Sequence, residues 1–394
     1  VRILLVTNSY PSVHSPSGAA YISARVRALR AAGASVVAVA LVPEYGPELG
    51  LPRRLAGAHD NAALALDDGR DGREFLSATT RWGALEVAAG RLGRTPAAGI
   101  ARATAALADL PQVRSGQFDI IHAHGMYTLP AGEVARRAAQ NLGIPFVVSM
   151  HGSDVTQVMP RVAPAFTATL EAAAATTYVS EALRSRALAA GAPRAHSHVI
   201  PNGVDLSVFT PRQAHSAQVP GPLRLLFVGN LLPVKGADRL PAILSAVRER
   251  YPGSSMDVLG SGALETRLRG VPGLRLHGRL DAPQVAQAMR QASALIVPSR
   301  EEGWGCVVSE SYACATPVIA TAVGGLVEAV LDPAHLVNFP PEASPAQEGQ
   351  AFADVLQALM DEPPTRDRML AHVARCGWGE VAGRELAVLE GAMS

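Results

Sequence analysis

The chain has 394 residues, 48% hydrophobic and 18% charged, which is too apolar for a disordered polymer and too long for one compact core, so two domains are expected. Its 35 Lys and Arg against 34 Asp and Glu leave a formal net charge of +1, without the broad positive field of a nucleic-acid binder. Cys306, Cys314 and Cys376 have neither metal-ligand spacing nor a disulfide framework, and they point to a reducing, cytoplasmic setting.

The opening Val-Arg-Ile-Leu-Leu-Val-Thr is short and β-branched, so it reads as a strand, Ile3 to Thr7, and not as a signal peptide. A helix from Gly18 to Ala32 follows, then strands Val36 to Leu41, Asp119 to Ala123, Phe146 to Met150, Thr177 to Val179 and His198 to Ile200. The stretch Pro43 to Leu110 exceeds one ordinary connection, carries the turn-like Asp67 to Gly72, and is expected to hold an insertion. Pro, Gln, Ser and Gly mark a linker at 211–222. Beyond it come strands Leu223 to Gly229, Met256 to Leu259, Leu274 to His277, Ala294 to Val297 and Val318 to Ala320, with a helix whose Leu240, Ile243, Leu244 and Val247 form one buried stripe. Short apolar runs alternating with helices predict doubly wound parallel sheets, with ligands at the strand C-terminal ends. No apolar run reaches the roughly 20 residues of a membrane span. Arg25, Arg27 and Arg30 share a helix and read as a solvated face, with peripheral contact to anionic lipid as the alternative.

The chemistry concentrates after Ala294 to Val297, in Pro298-Ser299-Arg300-Glu301-Glu302-Gly303-Trp304-Gly305-Cys306-Val307-Val308-Ser309-Glu310. A glycine-bearing loop entering a helix presents backbone N–H groups to an anion such as a diphosphate. Glu302 and Glu310, with seven residues between them across this loop, can accept paired hydrogen bonds from vicinal hydroxyls. Lys235, next to Gly236 at an expected helix start, can set an ammonium beside the same anion. Gly260-Ser261-Gly262 lacks the third glycine of a dinucleotide fingerprint, since Glu265 stands there, and no Asp-x-Asp occurs to bridge a metal to a diphosphate. In the first half, His151 and Asp154 follow a strand and fall at the ligand-bearing edge, whereas His122 and His124 read as structural.

The order of these segments resembles the retaining glycosyltransferases of family 4. The resemblance runs through Ile200-Pro201-Asn202-Gly203-Val204-Asp205, Phe227 to Gly236, Val258 to Gly262, Leu276 to Leu280, Glu302 to Glu310 and Pro317 to Thr321. It implies the GT-B fold: two Rossmann-like α/β domains, with parallel sheets facing across a cleft. An acceptor-side domain at 1–210 and a nucleotide-sugar domain at 223–376 are expected, with a helix at 377–394 crossing back to the first. It further implies that Glu310 holds the donor ribose, Glu302 the transferred sugar, the backbone of Gly303, Trp304, Gly305, Cys306 and Val307 the sugar and diphosphate, and Lys235 the diphosphate charge. Gly18 would approach the donor phosphate, His151 the anomeric carbon, and Asp154 the acceptor side. The chain departs from the family at Asn230, where an arginine is commoner; Arg279 is the candidate to compensate.

The expected reaction is transfer of a sugar, with retention and without metal or cofactor, from a nucleotide diphosphate donor (UDP-sugar favoured) to a hydroxyl acceptor. A sugar-nucleotide 2-epimerase of the same fold and a non-catalytic nucleotide-sugar-binding protein stay open, because fold alone does not separate them. Donor incubated without acceptor discriminates: an epimerase makes a new nucleotide sugar.

Overall fold

The computed structural model describes residues 1–8, 10, 19–45, 75–91, 94, 96–127, 129–211 and 221–394. Gly18, the turn Asp67 to Gly72 and most of the expected linker, 212–220, lie outside the described residues. The chain divides into two units, Val1–Pro201 with Trp378–Ser394, and Asn202–Gly377. The second unit therefore takes in 202–210, assigned from sequence to the first half. A hydrogen bond from Val204 N to Cys376 O at 2.8 Å and a bridge between Val204 and Gly377 tie that segment to the unit's end.

The first unit is built on seven strands: β1 (Arg2–Thr7), β2 (Ser35–Tyr45), β3 (Leu76–Trp82), β4 (Ile120–His124), β5 (Phe146–Met150), β6 (Ala175–Tyr178) and β7 (Ser197–Val199). They lie in the order β3-β2-β1-β4-β5-β6-β7, all parallel. Ile3, Leu4, Leu5 and Val6 are all fully buried, so side chains on both faces of β1 are covered, as the unbroken apolar run requires. The long insertion supplies β3 on the edge beside β2, with helices Ala84–Arg91 and Ala97–Asp109 after it. Its sequence hides that strand because Leu-Ser-Ala-Thr-Thr-Arg-Trp alternates exposed and buried residues instead of forming an apolar block.

The second unit has six parallel strands: β8 (Arg224–Val228), β9 (Ser255–Leu259), β10 (Leu274–Gly278), β11 (Ala294–Val297), β12 (Val318–Thr321) and the two-residue β13 (Leu336–Val337). Their order is β10-β9-β8-β11-β12-β13. Leu240, Ile243, Leu244 and Val247 are buried on helix Leu240–Arg250 and pack into the core with Phe352 and Leu356. Both sheets reverse direction of growth beside their first strand, between β1 and β4 and between β8 and β11. At such a point the loops leaving the two strands splay apart and open a crevice at the C-terminal edge.

Among the described residues no helix is long and apolar enough to cross a membrane. Of the basic face expected on helix Ala20–Ala31, Arg27 and Arg30 are exposed but Arg25 is not. Arg25 is 2% exposed and pairs with Glu385 at 3.0 Å, and Arg30 donates to Val36 O at 2.9 Å.

Candidate active site

In the second unit the loops 229–236 and 298–305 leave the ends of β8 and β11, where the strand order predicts a crevice. Gly236 has φ 69°, and a Cβ there would meet Pro298 O at 1.8 Å, so glycine lets the loops touch. The contact is tied further: Arg300 N donates to Val234 O at 2.8 Å, Arg239 Nη1 to Pro298 O at 2.8 Å, and Arg300 pairs with Asp238. On its other side the glutamate loop lies against Gly324 and Gly325, where any Cβ would meet Glu302 O or Gly303 O at 2.2 and 2.1 Å.

This docking brings together the two charged candidates from opposite loops, Lys235 Nζ standing 2.6 Å from Glu302 Oε2. Lys235 closes a single 3-10 turn, Pro233–Lys235, and the α-helix begins only at Leu240, so the expected helix start at Gly236 is corrected to two short turns. Pro233 and the left-handed Gly236 interrupt regular helix there.

The helix start expected after the glutamate loop is that of helix Cys306–Ala313, which Gly305 opens in the left-handed conformation, φ 83°, with no side-chain cap. First-turn N–H groups have no intrahelical acceptor, so this end is ready for an anion. Val307 is half-buried in the first turn. The Trp304 indole is 6% exposed and packs inward, so only that residue's backbone belongs to the site face. Burial pushes the Cys306 thiol up to about 12, which keeps it protonated and poorly nucleophilic.

Glu310 sits one turn into the helix, and burial pushes its carboxyl up to about 7. Along the edge, Arg279 follows β10, its Nε donating to Ser261 Oγ at 2.8 Å and its Nη2 lying 3.4 Å from Asn230 Oδ1. Asn230, Ser261 and Arg279 leave three adjacent strands, so the guanidinium reaches the place that a residue-230 arginine would start from.

The first unit holds His151 and Asp154 just after β5. Asp154 is fully buried, and its carboxylate accepts from Gly152 N at 2.8 Å, Val155 N at 3.0 Å and His151 N at 3.1 Å. The Asp154 oxygens are thus directed to the loop backbone that carries His151, which makes Asp154 a shaper of that loop. His151 Nε2 lies 3.1 Å from His124 Nδ1. Burial first, then neighbouring positive groups, hold both rings well below the usual imidazole range, so they are neutral at pH 7.

Behind them lies a network that the sequence reading did not assemble. His122 Nε2 meets Ser149 Oγ at 2.7 Å, Ser149 Oγ meets Thr177 Oγ1 at 2.6 Å, and His122 Nδ1 lies 3.1 Å from Glu385, which pairs with Arg25. Burial would raise the Glu385 carboxyl, but Arg25 and His122 hold it below its ordinary value. Ligand atoms of His122, His124 and Glu385 lie within 4.8 Å of one another, a spacing that a metal could use. Arg25 already supplies a positive charge to that carboxylate, so the cluster reads as an ion-paired network. Its only sequence signals were charges at core-facing helix positions: Arg25 between Ile22, Val26 and Leu29, and Glu385 between Val381 and Leu389.

Two parallel sheets with reversed strand order, one carrying an anion-ready loop and helix start, give the chain the two-unit α/β architecture of the GT-B fold. Residues 18–208 match the family described as Glycosyltransferase Family 4, and residues 222–362 that described as Glycosyl transferases group 1. A D-inositol 3-phosphate glycosyltransferase of Jonesia denitrificans is 33% identical over 316 residues, 70% of this chain and 72% of that one. One of the same name from Thermomonospora curvata is 32% identical over 319 residues, again 70% and 72%. With another, from an Arthrobacter species, identity is 36% over 209 residues, so the chain spans 48% of that relative. The chain belongs to the family 4, group 1 glycosyltransferases. Among solved structures, sucrose-phosphate synthase from Thermosynechococcus elongatus superposes with TM-score 0.70 at 20% identity, covering 99% of this chain and 98% of that one. The Anabaena HepE protein in complex with UDP gives 0.65 at 16% identity, covering 99% and 100%.

Proposed function

We propose that the second unit binds a nucleoside diphosphate sugar, a UDP-sugar first, and that the enzyme transfers the sugar to a hydroxyl acceptor with retention and without a metal. The observation that carries this reading is the Lys235–Glu302 pair at 2.6 Å, assembled from the two loops that flank the crevice beside an uncapped helix start. A diphosphate entering there takes over the Lys235 ammonium, whose charge, with the helix end, stabilises the negative charge that grows on the leaving group. Glu302, released from Lys235, turns to the sugar hydroxyls, and Glu310 takes the ribose hydroxyls.

Arg279 and the Asn230 amide together stand in for the commoner arginine at the phosphates. His151, neutral and held in place by the Asp154-shaped loop, is the first unit's contribution as a hydrogen-bonding group, and Gly18 remains a donor-contact candidate from sequence. Since the sequence offers no compelling covalent nucleophile, front-face departure, with the leaving phosphate taking the acceptor proton, is the route proposed. The UDP preference is supported by the UDP complex of the Anabaena protein, and a phosphorylated cyclitol is one acceptor to try because the relatives bear that name. A cytoplasmic reaction, with at most peripheral membrane contact, suits the scattered free cysteines.

The test is proton NMR of early product from a matched donor and acceptor in excess EDTA. Retained anomeric coupling and unchanged rate are expected; an inverted product overturns the stereochemistry, and loss restored by a divalent ion overturns the metal-free route. A new nucleotide sugar formed without acceptor would favour epimerisation.

A further inference from the structure

The first unit contains a cavity of about 450 Å³ that the donor-site chemistry leaves unused. Helices Ala131–Leu142 and Met159–Glu171 wall it, Ala97 touches it at the start of helix Ala97–Asp109, and the chain leaving β4 closes one side at Met126 and Tyr127. The volume falls within the ~300–1,000 Å³ range of small-molecule sites.

Its lining is divided by chemistry. Met126, Val158, Val162 and Phe166 make apolar walls, while Arg94, Arg136, Arg137 and Arg161 bring four positive charges against the single carboxylate of Glu133. The lining therefore carries 4 − 1 = +3, in a chain whose whole net charge is +1. Glu133 binds Arg136 at 2.7 Å and Arg137 at 2.9 Å and also accepts from Thr169 at 3.0 Å, which fixes both guanidinium groups while leaving further N–H donors on each. Arg161 is exposed, and among the described residues no hydrogen bond or ion pair holds its side chain.

The wall carrying Arg161 is a broken helix. A π-turn at Asp154–Val158 precedes it, Val162 has φ −130° and ψ 31°, and Pro164 lies inside. Proline lacks an N–H and crowds the preceding turn, so the helix kinks, and both Arg161 and Val162 line the cavity at the break. A plain packing defect would not gather three excess cations at an apolar hollow.

We propose that this cavity binds an amphiphilic organophosphate, one molecule at a time, with its phosphate among Arg136, Arg137 and Arg161 and its apolar chain against Met126, Val162 and Phe166. Identifying that molecule as the acceptor rests on the transfer reading above; the binding itself does not.

The experiment titrates the full chain, without donor, by calorimetry with geranyl phosphate, geraniol, inorganic phosphate and inositol phosphate, and adds sedimentation with phosphatidylglycerol vesicles. Geranyl phosphate is expected to bind at least tenfold more tightly than the other three, and Arg161→Glu to weaken it ten- to a hundredfold, the range for a charge-assisted hydrogen bond with added repulsion. Ala165→Trp, at an exposed position on the cavity rim, is expected to block geranyl phosphate while the chain keeps its thermal transition. Equal affinity for inositol phosphate overturns the apolar half of the proposal, and equal affinity for geraniol the phosphate half. Binding of vesicles alone, released by Arg161→Glu, would make the patch a membrane surface and overturn the cavity; so would failure of every probe with the folded chain. Because no transfer is read, these outcomes are independent of whether product forms in the glycosyltransferase assay.

Discussion

Lys235 and Glu302 pair across 2.6 Å, so on the proposed reading donor binding here would be an exchange of partners. Removing Lys235 alone leaves the Glu302 carboxylate facing the incoming diphosphate. Lys235→Ala is therefore expected to lower turnover more than Glu310→Ala does, since phosphate charge grows toward the transition state while ribose contacts change little. It should also weaken donor binding, and the double variant Lys235→Ala, Glu302→Gln should recover part of that affinity; calorimetry showing no recovery would mean that the pair does not couple to the donor. Glu310 supplies a pH signature. Its free carboxyl is raised to about 7 from an ordinary 4.5, and only the ionised form accepts two hydroxyl hydrogen bonds. Donor affinity should accordingly rise as pH increases through about 7 and level off above it, and Glu310→Gln should flatten the curve. Glu310→Ala should cost about ten- to a hundredfold in affinity, from roughly 1.5–3 kcal/mol for charge-assisted bonds. At residue 230, Asn230→Arg would set two guanidinium groups side by side, with Arg279 Nη2 already 3.4 Å from the Asn230 oxygen. We expect tighter donor binding from Asn230→Arg in the Arg279→Ala background, and little or none beside a native Arg279.

At the scale of elements, helix Trp378–Gly391 is joined to the first sheet by chemistry more specific than apolar packing. Val381, Ala382 and Leu389 are buried on it, and Glu385 from the same face reaches Arg25 on helix Ala20–Ala31 and His122 on β4. All three groups are at most 2% exposed. Breaking a buried pair by removing one partner typically costs 3–5 kcal/mol, because the other charge is left without compensation. Glu385→Ala should therefore destabilise the protein by about that amount in urea titration, whereas replacing Arg25 and Glu385 together by apolar residues should cost clearly less. Equal losses from the single and double variants would deny the pair its role.

For the whole molecule, the division into units gives the last helix a structural weight that its position at the chain's end conceals. Residues 378–394 group with 1–201, so the first unit is built from two segments separated by the whole of the second. Typical total stabilities are ~5–15 kcal/mol, so loss of the Glu385 network together with the buried face of its helix exceeds what a domain tolerates. Truncation after Gly377 is expected to abolish cooperative unfolding of the first unit. The second unit, which contains Asn230, Lys235, Arg279, Glu302 and Glu310, should retain a calorimetric transition and a measurable affinity for UDP.

The alternation of apolar runs and helices was legible from sequence because strands buried on both faces read as continuous hydrophobic blocks and their connecting helices show a clear period. The anion-ready loop from Pro298 to Glu310 was legible because its glycines, carboxylates and helix start are consecutive. Edge strand β3 was not, since half its residues face solvent, nor was the brief β13. The tertiary structure alone decided that Lys235 meets Glu302, that Arg279 reaches toward Asn230, and that Arg25, read as solvated, is buried against Glu385. Each of these pairs joins side chains 49 to 360 residues apart. A local pattern carries no information about such a partner, because the meeting is set by how strands order in a sheet and which helix face the core takes up.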